Sequence, residues 1–169
     1  IPVFNVTEPV PPLTLNKERN LFKLFQNDVG LLAYQYSGGI QMEILTGKVN
    51  VNFGSVYENF VAQELCSKGY RPFYFNSKKQ GELDFVIDDG RGRIIPIEVK
   101  SGKDYYHHSA LENVINTTNY NITLSYVLCN DNLSEDGTTL YLPIYMTMFF
   151  NKAEVTLGEY LPDISSLLA

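Results

Sequence analysis

Residues 81–102 read GELDFVIDDGRGRIIPIEVKSG, and they predict two β-strands that fold back over a glycine-rich turn. Three charged residues interrupt these apolar strands: Asp84 in the first run and Glu98 and Lys100 in the second. Charges at such positions need a partner, since strands inside a sheet usually bury Val and Ile. The hairpin is therefore the candidate site of the chain.

The turn sets which residues of the two strands face each other. The letters DGRGR fit a three-residue loop in which Gly92 takes the position of positive φ. Asp89 then pairs with Arg93, and the same register carried inward pairs Asp84 with Glu98. The sequence thus predicts two carboxylates directly opposite each other.

Strand alternation also predicts which residues share a face. Glu82 and Asp84 are expected on one face of the first strand, with Leu83 and Phe85 on the other. Pro96 in the second strand indicates a bulge or a free edge there, because proline cannot donate to a sheet ladder. A bulge would alter the register.

Facing carboxylates repel each other unless a cation lies between them or one keeps its proton. Lys100, one step along the face of Glu98, is one candidate cation. A divalent metal is the other, because Mg²⁺ binds one or two carboxylates together with water and phosphate oxygens. The competing interpretation is a solvated ion-pair cluster without chemistry, and the spacing alone leaves both open.

The rest of the sequence predicts helices and strands in alternation around this hairpin. Strands are expected in IPVFNVT, RPFYFN, ITLSYVLCN and, after a turn, EDGTTLYL. NLFKLFQNDVGLLAYQ is interpreted as strand then helix with Asp28 as cap, and helices are expected in GSVYENFVAQELCSKGY, from Ser55 to Gly69, and in SALENVINTTN. PIYMTMFF fits a strand or a short helix. The order predicts an α/β fold with a mixed sheet flanked by helices.

Composition limits the class of protein. The 169 residues are enough for one domain over residues 1–169, with residues 1–50 as its N-terminal strand and helix extension. Two distant cysteines, no long apolar run and no secretory signal favour a cytoplasmic protein without a membrane partner. Residues 1–103 hold 12 Lys/Arg against 11 Asp/Glu, and residues 104–169 hold 1 against 8, so the acidic half could face solvent or a basic partner.

The hairpin motif, Asp84 followed by Glu98-x-Lys100, resembles the PD-(D/E)XK superfamily of nuclease folds, with Leu83 in place of the proline. FKLFQNDVGLL, GSVYENFVAQEL, GELDFVI and IIPIEVKSG also occur in the order of one particular family. That family is the restriction-endonuclease-like domain of unknown function at the C-terminus of bacterial and archaeal AAA-type ATPases. The chain begins at Ile1 and lacks a G-x-x-x-x-G-K-[ST] loop, so the resemblance implies a C-terminal fragment of a longer ATPase.

The resemblance also implies roles for individual residues. Asp84 and Glu98 correspond to metal-binding carboxylates, Lys100 to the catalytic lysine, and Glu58 to an additional acidic residue that contacts a metal or its water. The Val99 backbone carbonyl corresponds to a further metal ligand. The implied cofactor is Mg²⁺ or Mn²⁺, and the implied partners are DNA and an ATPase domain in cis.

Local patterns compete with some of these roles. Ser55 and Glu58 fit a capping box, S-x-x-E, and the sequence alone favours this structural role for Glu58 over metal binding. His107 and His108, adjacent on a loop, are interpreted as surface residues. The lysines of the loops are interpreted as solvated charges, although they could touch phosphates: Lys78, Lys79 and Lys103.

Three functions follow from these observations. The first is a metal-dependent nuclease that cleaves DNA phosphodiesters, with Lys100 orienting the attacking water. The second is a non-catalytic module that binds DNA or protein and regulates the fused ATPase. The third is a structural domain with an ion-pair relic. The complete set of acidic residues and lysine favours the first over the third, whereas the net charge of −6 favours the second over an efficient free-standing nuclease.

Overall fold

The computed structural model describes residues 1–36, 38–46 and 53–153, and one mixed sheet of eight strands organises this part of the chain. The strands are β1 (Pro2–Val6), β2 (Lys17–Leu24), β3 (Phe73–Ser77), β4 (Gly81–Asp88), β5 (Ile94–Val99), β6 (Ser125–Cys129), β7 (Ser134–Asp136) and β8 (Thr139–Pro143). Their order across the sheet is β2-β1-β3-β4-β5-β6-β8-β7. The predicted α/β class is confirmed, and β4 and β5 occupy the middle of the sheet.

The sheet combines antiparallel hairpins with parallel crossovers. Pairs β1–β2, β3–β4, β4–β5 and β7–β8 are antiparallel, whereas β1–β3, β5–β6 and β6–β8 are parallel. A parallel pair needs a connection that crosses the sheet, and helices supply it for β1–β3 and β5–β6, whereas the connection from β6 to β8 contains only β7. The crossover from β1 to β3 contains α3, and the crossover from β5 to β6 contains α4.

Four α-helices accompany the described strands: α1 (Val29–Tyr34), α2 (Gly38–Thr46), α3 (Gly54–Ser67) and α4 (Ser109–Ile115). The Asp28 carboxylate accepts a hydrogen bond from the Leu31 N–H at 3.0 Å, which confirms the predicted cap of α1. Helix α2 was not predicted, since it begins with two glycines and none of its residues is buried. The undecided segment Ile144–Phe149 is a 3₁₀ helix.

Two apolar clusters cover the two faces of the sheet. Val61 and Leu65 of α3 pack with Phe85 on one face. Leu111 of α4 packs with Leu83 on the other. All five side chains are fully buried, so the sheet is covered on both faces and the central strands are apolar almost throughout.

Pro96 lies in the interior of the sheet, so the predicted free edge is wrong. Backbone hydrogen bonding between β4 and β5 begins at the turn, where the Asp89 N–H donates to the Arg93 carbonyl at 3.1 Å. From there, residue pairs that exchange hydrogen bonds alternate with pairs that do not. The pair Val86–Pro96 falls at a non-bonded position of this ladder. Toward β6, pairing starts only at Ile97, so the missing proline donor leaves no gap.

The described helices include none that is both long and apolar enough to cross a bilayer. Residues 37, 47–52 and 154–169 lie outside the described part of the chain. The single domain over residues 1–169, with its extension at residues 1–50, therefore stays a prediction.

Candidate functional site

The β4–β5 hairpin has the register that the turn predicts. Its pairs are Phe85–Ile97, Val86–Pro96, Ile87–Ile95 and Asp88–Ile94. Gly92 has a φ of +81°, as expected, and Gly90 has a φ of +91°. The Asp89 carboxylate accepts from the backbone N–H of Arg91 at 2.9 Å and of Arg93 at 3.1 Å, and it also bonds the Arg93 side chain. The ladder of paired residues ends at Phe85–Ile97, one step before the predicted pair Asp84–Glu98, which therefore stays a prediction.

A β-bulge changes the faces of β4 at Asp84. Phe73 pairs with Val86 and Phe75 with Leu83, so that two residues of β4 lie opposite the single residue between them on β3. Leu83 consequently packs on the α4 face and Phe85 on the α3 face. The predicted sharing of a face by Leu83 and Phe85 is therefore wrong, and the bulge falls against β3 rather than at Pro96.

Asp84 lies at the bulge, and its side chain forms a hydrogen bond with the neighbouring strand β5. Its Oδ2 accepts a hydrogen bond of 2.8 Å from the Val99 N–H. In a regular antiparallel ladder, this N–H would donate to a backbone carbonyl of β4 instead. Burial raises the pKa of Asp84, although this bond and the charges of Lys23 and Lys100 work in the opposite direction. Asp84 is thus a buried carboxylate at the point where the hairpin ladder ends.

Glu98 is the second acid of the hairpin whose pKa is raised. Its Oε1 accepts from the Lys100 Nζ at 2.7 Å, whereas its Oε2 is buried and has no hydrogen-bond partner. Burial, followed by the negative charge of Asp84, raises the pKa of Glu98 to about 7, and the bond from Lys100 limits the rise. A buried carboxylate oxygen without a hydrogen-bond donor destabilises the folded protein, so a cation or a proton bound at this atom would be stabilising.

Glu58 does not form the capping box that the local pattern favoured. Helix α3 begins at Gly54 with Phe53 as N-cap, so Ser55 lies within the helix rather than at its cap. The Glu58 carboxylate instead lies 3.7 Å from the Lys23 Nζ. Burial and the charge of Asp84 raise the pKa of Glu58, while Lys23 lowers it. Glu58 therefore belongs to the electrostatic environment of the hairpin.

Lys23 is the residue of this environment that the sequence analysis missed. It projects from β2 and forms a salt bridge of 2.6 Å with Glu82 on β4, and its Nζ lies 5.2 Å from the centre of the Tyr74 ring. Its charge also acts on Asp84 and Glu98. The available signal was a lysine inside the apolar run NLFKLF, the same kind of interruption that singled out Asp84.

We use the name charged cluster for the six residues joined by these contacts and charges: Lys23, Glu58, Glu82, Asp84, Glu98 and Lys100. The structure brings together every acidic and basic side chain that the resemblance assigned. Within residues 1–36, 38–46 and 53–153, however, no group of three or more His, Cys, Asp or Glu has the geometry of a metal site.

The fit of this donor set to a metal can be judged from the individual atoms. Glu98 Oε2 is a buried oxygen without a hydrogen-bond partner. Asp84 is a second buried carboxylate, and its negative charge raises the pKa of Glu98. Oxygen donors of this kind suit Mg²⁺ or Mn²⁺. The third carboxylate, Glu58, is engaged by Lys23. The described residues therefore offer two buried carboxylates as oxygen donors, and the binding of a cation and the role of the Val99 carbonyl stay predictions.

The weaker candidates divide between surface and core. His107 and the loop lysines Lys78, Lys79 and Lys103 are exposed, as expected. His108 is buried, and its Nε2 lies 2.7 Å from the Tyr141 hydroxyl, so its assignment to the surface is wrong. At the start of α4 the His108 side chain points into the protein, which two adjacent histidines in a polar loop did not indicate.

Fold and site together define a mixed α/β domain whose central hairpin carries buried carboxylates beside a lysine. The chain belongs to the family described as Domain of unknown function (DUF4143), whose match covers residues 53–146. The matched range contains α3, the hairpin and α4, whereas Lys23 on β2 lies before it. No curated protein and no solved structure matches the chain.

Proposed function

We propose that this chain is a nuclease-like domain of the PD-(D/E)XK type that hydrolyses DNA phosphodiesters with the help of a divalent cation. The observation that carries the proposal is Glu98, whose buried Oε2 lacks a partner and whose pKa is raised to about 7 beside Asp84. A titratable group perturbed by burial and by a like charge is typical of catalytic sites. The order of motifs around it supports the same class.

Asp84 and Glu98 would hold Mg²⁺ or Mn²⁺, with the Val99 carbonyl as a third donor. When bound, the cation would supply charge stabilisation for a phosphate oxygen and acidify a water molecule. Glu98 must release its proton to act as a ligand, so binding is expected to release protons near neutral pH.

Lys100 is the residue of the chain that would act on the substrate. It lies 2.7 Å from Glu98, at the end of β5, and its side chain is about one quarter exposed (28%). A lysine ammonium in this position can donate to a phosphate oxygen and orient the attacking water. Glu58 and Lys23 would set the charge around this centre rather than contact the phosphate.

The net charge of −6 does not favour tight binding of DNA by this chain alone. We therefore infer that DNA is presented by a partner, for which an ATPase domain in cis is our candidate. A regulatory module without catalysis is the second candidate function. The observation that favours it is the pairing of Glu58 with Lys23, which leaves two rather than three carboxylates for a metal.

One assay separates the two functions. Plasmid and branched DNA are incubated with Mg²⁺ or Mn²⁺ and the wild type, Asp84→Asn or Lys100→Met. These changes roughly keep side-chain size and remove the charge, Lys100→Met together with its hydrogen bond to Glu98, and the exposed Lys68→Met is the matched control. A nuclease loses at least about 100-fold of its rate in both site variants and keeps it in the control.

The folded state of each variant is checked by circular dichroism before cleavage is compared. Absence of cleavage by the wild type, with and without the ATPase partner, would remove the nuclease proposal and leave the regulatory module. Cleavage that survives both site variants would assign the activity to a contaminant.

A further inference from the structure

A cavity of about 400 Å³ lies between α4 and the β7–β8 turn, apart from the charged cluster. Five side chains define its chemistry: Tyr106, His108, Glu112, Asp136 and Tyr141. None of them belongs to the charged cluster, so the cavity is independent of the proposed nuclease function. Its lining combines aromatic rings with hydrogen-bond acceptors.

Aromatic rings form one wall of the cavity. The Tyr106 and Tyr141 rings lie 5.1 Å apart between centres and are tilted by 53°. Tyr141 is buried, whereas Tyr106 is 56% exposed, so the Tyr106 ring is accessible from solvent. Exposed aromatic faces attract flat cations.

His108 contributes a buried nitrogen without a hydrogen-bond partner. Its side chain is only 6% exposed, its Nε2 lies 2.7 Å from the Tyr141 hydroxyl, and its Nδ1 has no bond. When Nε2 carries the hydrogen and donates it to Tyr141, Nδ1 is an acceptor. A donor group from a ligand would satisfy this nitrogen, which otherwise stays buried and unpaired.

Two carboxylates give the cavity a negative potential. Glu112 Oε1 lies 3.6 Å from His108 Nδ1, and the charges of Asp136 and Glu112 add to burial in raising the pKa of Tyr141. Among the salt bridges of the described residues, neither carboxylate is paired with a Lys or Arg. Asp136 does not occur in these ion pairs and Glu112 has only the His108 ring, at 3.6 Å, so both carboxylates can accept from a cationic ligand.

We propose that this cavity binds a guanidinium group, either of a free arginine-like molecule or of an arginine side chain on a partner protein. A guanidinium is planar, stacks on aromatic rings and carries five donors, and this lining offers aromatic faces and acceptors. An ammonium is smaller and more strongly hydrated, so it would leave the Tyr106 face unused. The surplus of acidic residues after position 104 agrees with a basic ligand.

The proposal is tested by titration calorimetry and by chemical-shift changes of the tyrosine rings. The probes are Nα-acetyl-arginine methylamide, its neutral citrulline counterpart, its lysine counterpart, and a Gly/Ser peptide with one arginine. Saturable binding of the arginine compounds is expected, with affinity at least about tenfold above the lysine compound and no binding of citrulline.

The variants Glu112→Gln and Asp136→Asn should each weaken binding at least about threefold, because each removes one charge from the cavity. Both residues are exposed, so the fold does not depend on them. Glu135→Gln, on the neighbouring exposed position of β7, is the matched control and should bind as the wild type does.

The two sources of the guanidinium give different results. Equal affinity for the amino-acid derivative and the peptide indicates that the cavity binds a free arginine-like molecule. Tighter binding of the peptide indicates an arginine side chain on a partner protein. No saturable binding, equal binding of the citrulline or lysine compound, or equal weakening by Glu135→Gln would overturn the proposal.

Discussion

Replacement of Glu98 by glutamine should change how the stability of the protein depends on pH. Glutamine keeps the size of the side chain but cannot ionise. In the folded protein, burial and the charge of Asp84 raise the pKa of Glu98 to about 7 from its ordinary value of 4.5. The side chain is only 8% exposed, so solvent screens this shift little.

The sign and size follow from proton linkage. Between pH 4.5 and pH 7, folded Glu98 keeps its proton while the unfolded chain releases it, so the folded state binds more protons. The free energy of unfolding of the wild type therefore falls as the pH rises through this window. At about 1.4 kcal/mol per pH unit, the fall attributable to Glu98 is about 3 kcal/mol.

Urea unfolding followed by circular dichroism, at intervals from pH 5 to pH 8, measures this difference. The wild type should lose about 2.5 kcal/mol more across the range than Glu98→Gln, because about two pH units of the window lie above pH 5. The exposed Glu135→Gln is the control and should follow the wild type. Parallel curves for the wild type and Glu98→Gln would refute the assignment of a raised pKa to this residue.

The same titration reports on the proposed cation. At pH 8, where Glu98 is ionised, a saturating divalent cation should stabilise the wild type, and 100 times the Kd corresponds to about 3 kcal/mol. Glu98→Gln should gain much less, because one ligand is missing. Equal stabilisation of both proteins by Mg²⁺ or Mn²⁺ would place the cation elsewhere.

Two further changes test the surroundings of the site. Lys23→Met should lower the free energy of unfolding by about 1 kcal/mol at pH 7.5, because the charged cluster loses one of its two cations, and by less at pH 5, where the raised pKa values of Glu58 and Glu98 leave more of the cluster protonated. Urea unfolding at the two pH values checks this, and equal stability of variant and wild type at both would contradict it. Gly90→Ala should lower the melting temperature more than Gly92→Ala: both positions have positive φ, but a Cβ at Gly90 would lie 2.5 Å from the Ala153 carbonyl oxygen, while Gly92 faces open space. Equal shifts in thermal unfolding would show that the contact with Ala153 is absent in solution.

The register of the hairpin could be predicted because a tight turn determines which residues pair. Three loop residues and one glycine of positive φ were enough to predict the observed pairs from Phe85–Ile97 to Asp88–Ile94. The bulge at Asp84 could not be predicted, because it depends on the pairing of β4 with β3 rather than on the turn. The geometry within the hairpin could be predicted from the sequence, whereas the effect of β3 on the register of β4 could not.

Glu58 and Lys23 illustrate the same limit at the level of side chains. The pattern S-x-x-E is a local signal, but Glu58 meets a lysine from a strand 35 positions earlier in the chain. Lys23 itself reaches Glu82 although β1 and β3 lie between their strands. No spacing rule within one helix or hairpin connects such residues, so only the assembled sheet identifies them as one cluster.

The assembled charged cluster explains why a cation is expected at the hairpin. Its four carboxylates face two lysines, which leaves a charge of −2 when every group is ionised. A proton on Glu98, whose pKa is about 7, reduces this to −1 below neutral pH. A divalent cation would balance the cluster completely and would displace that proton. Protonation of Glu98 and binding of a divalent cation are thus alternative ways to neutralise the same buried charge, and raising the pH should favour the cation.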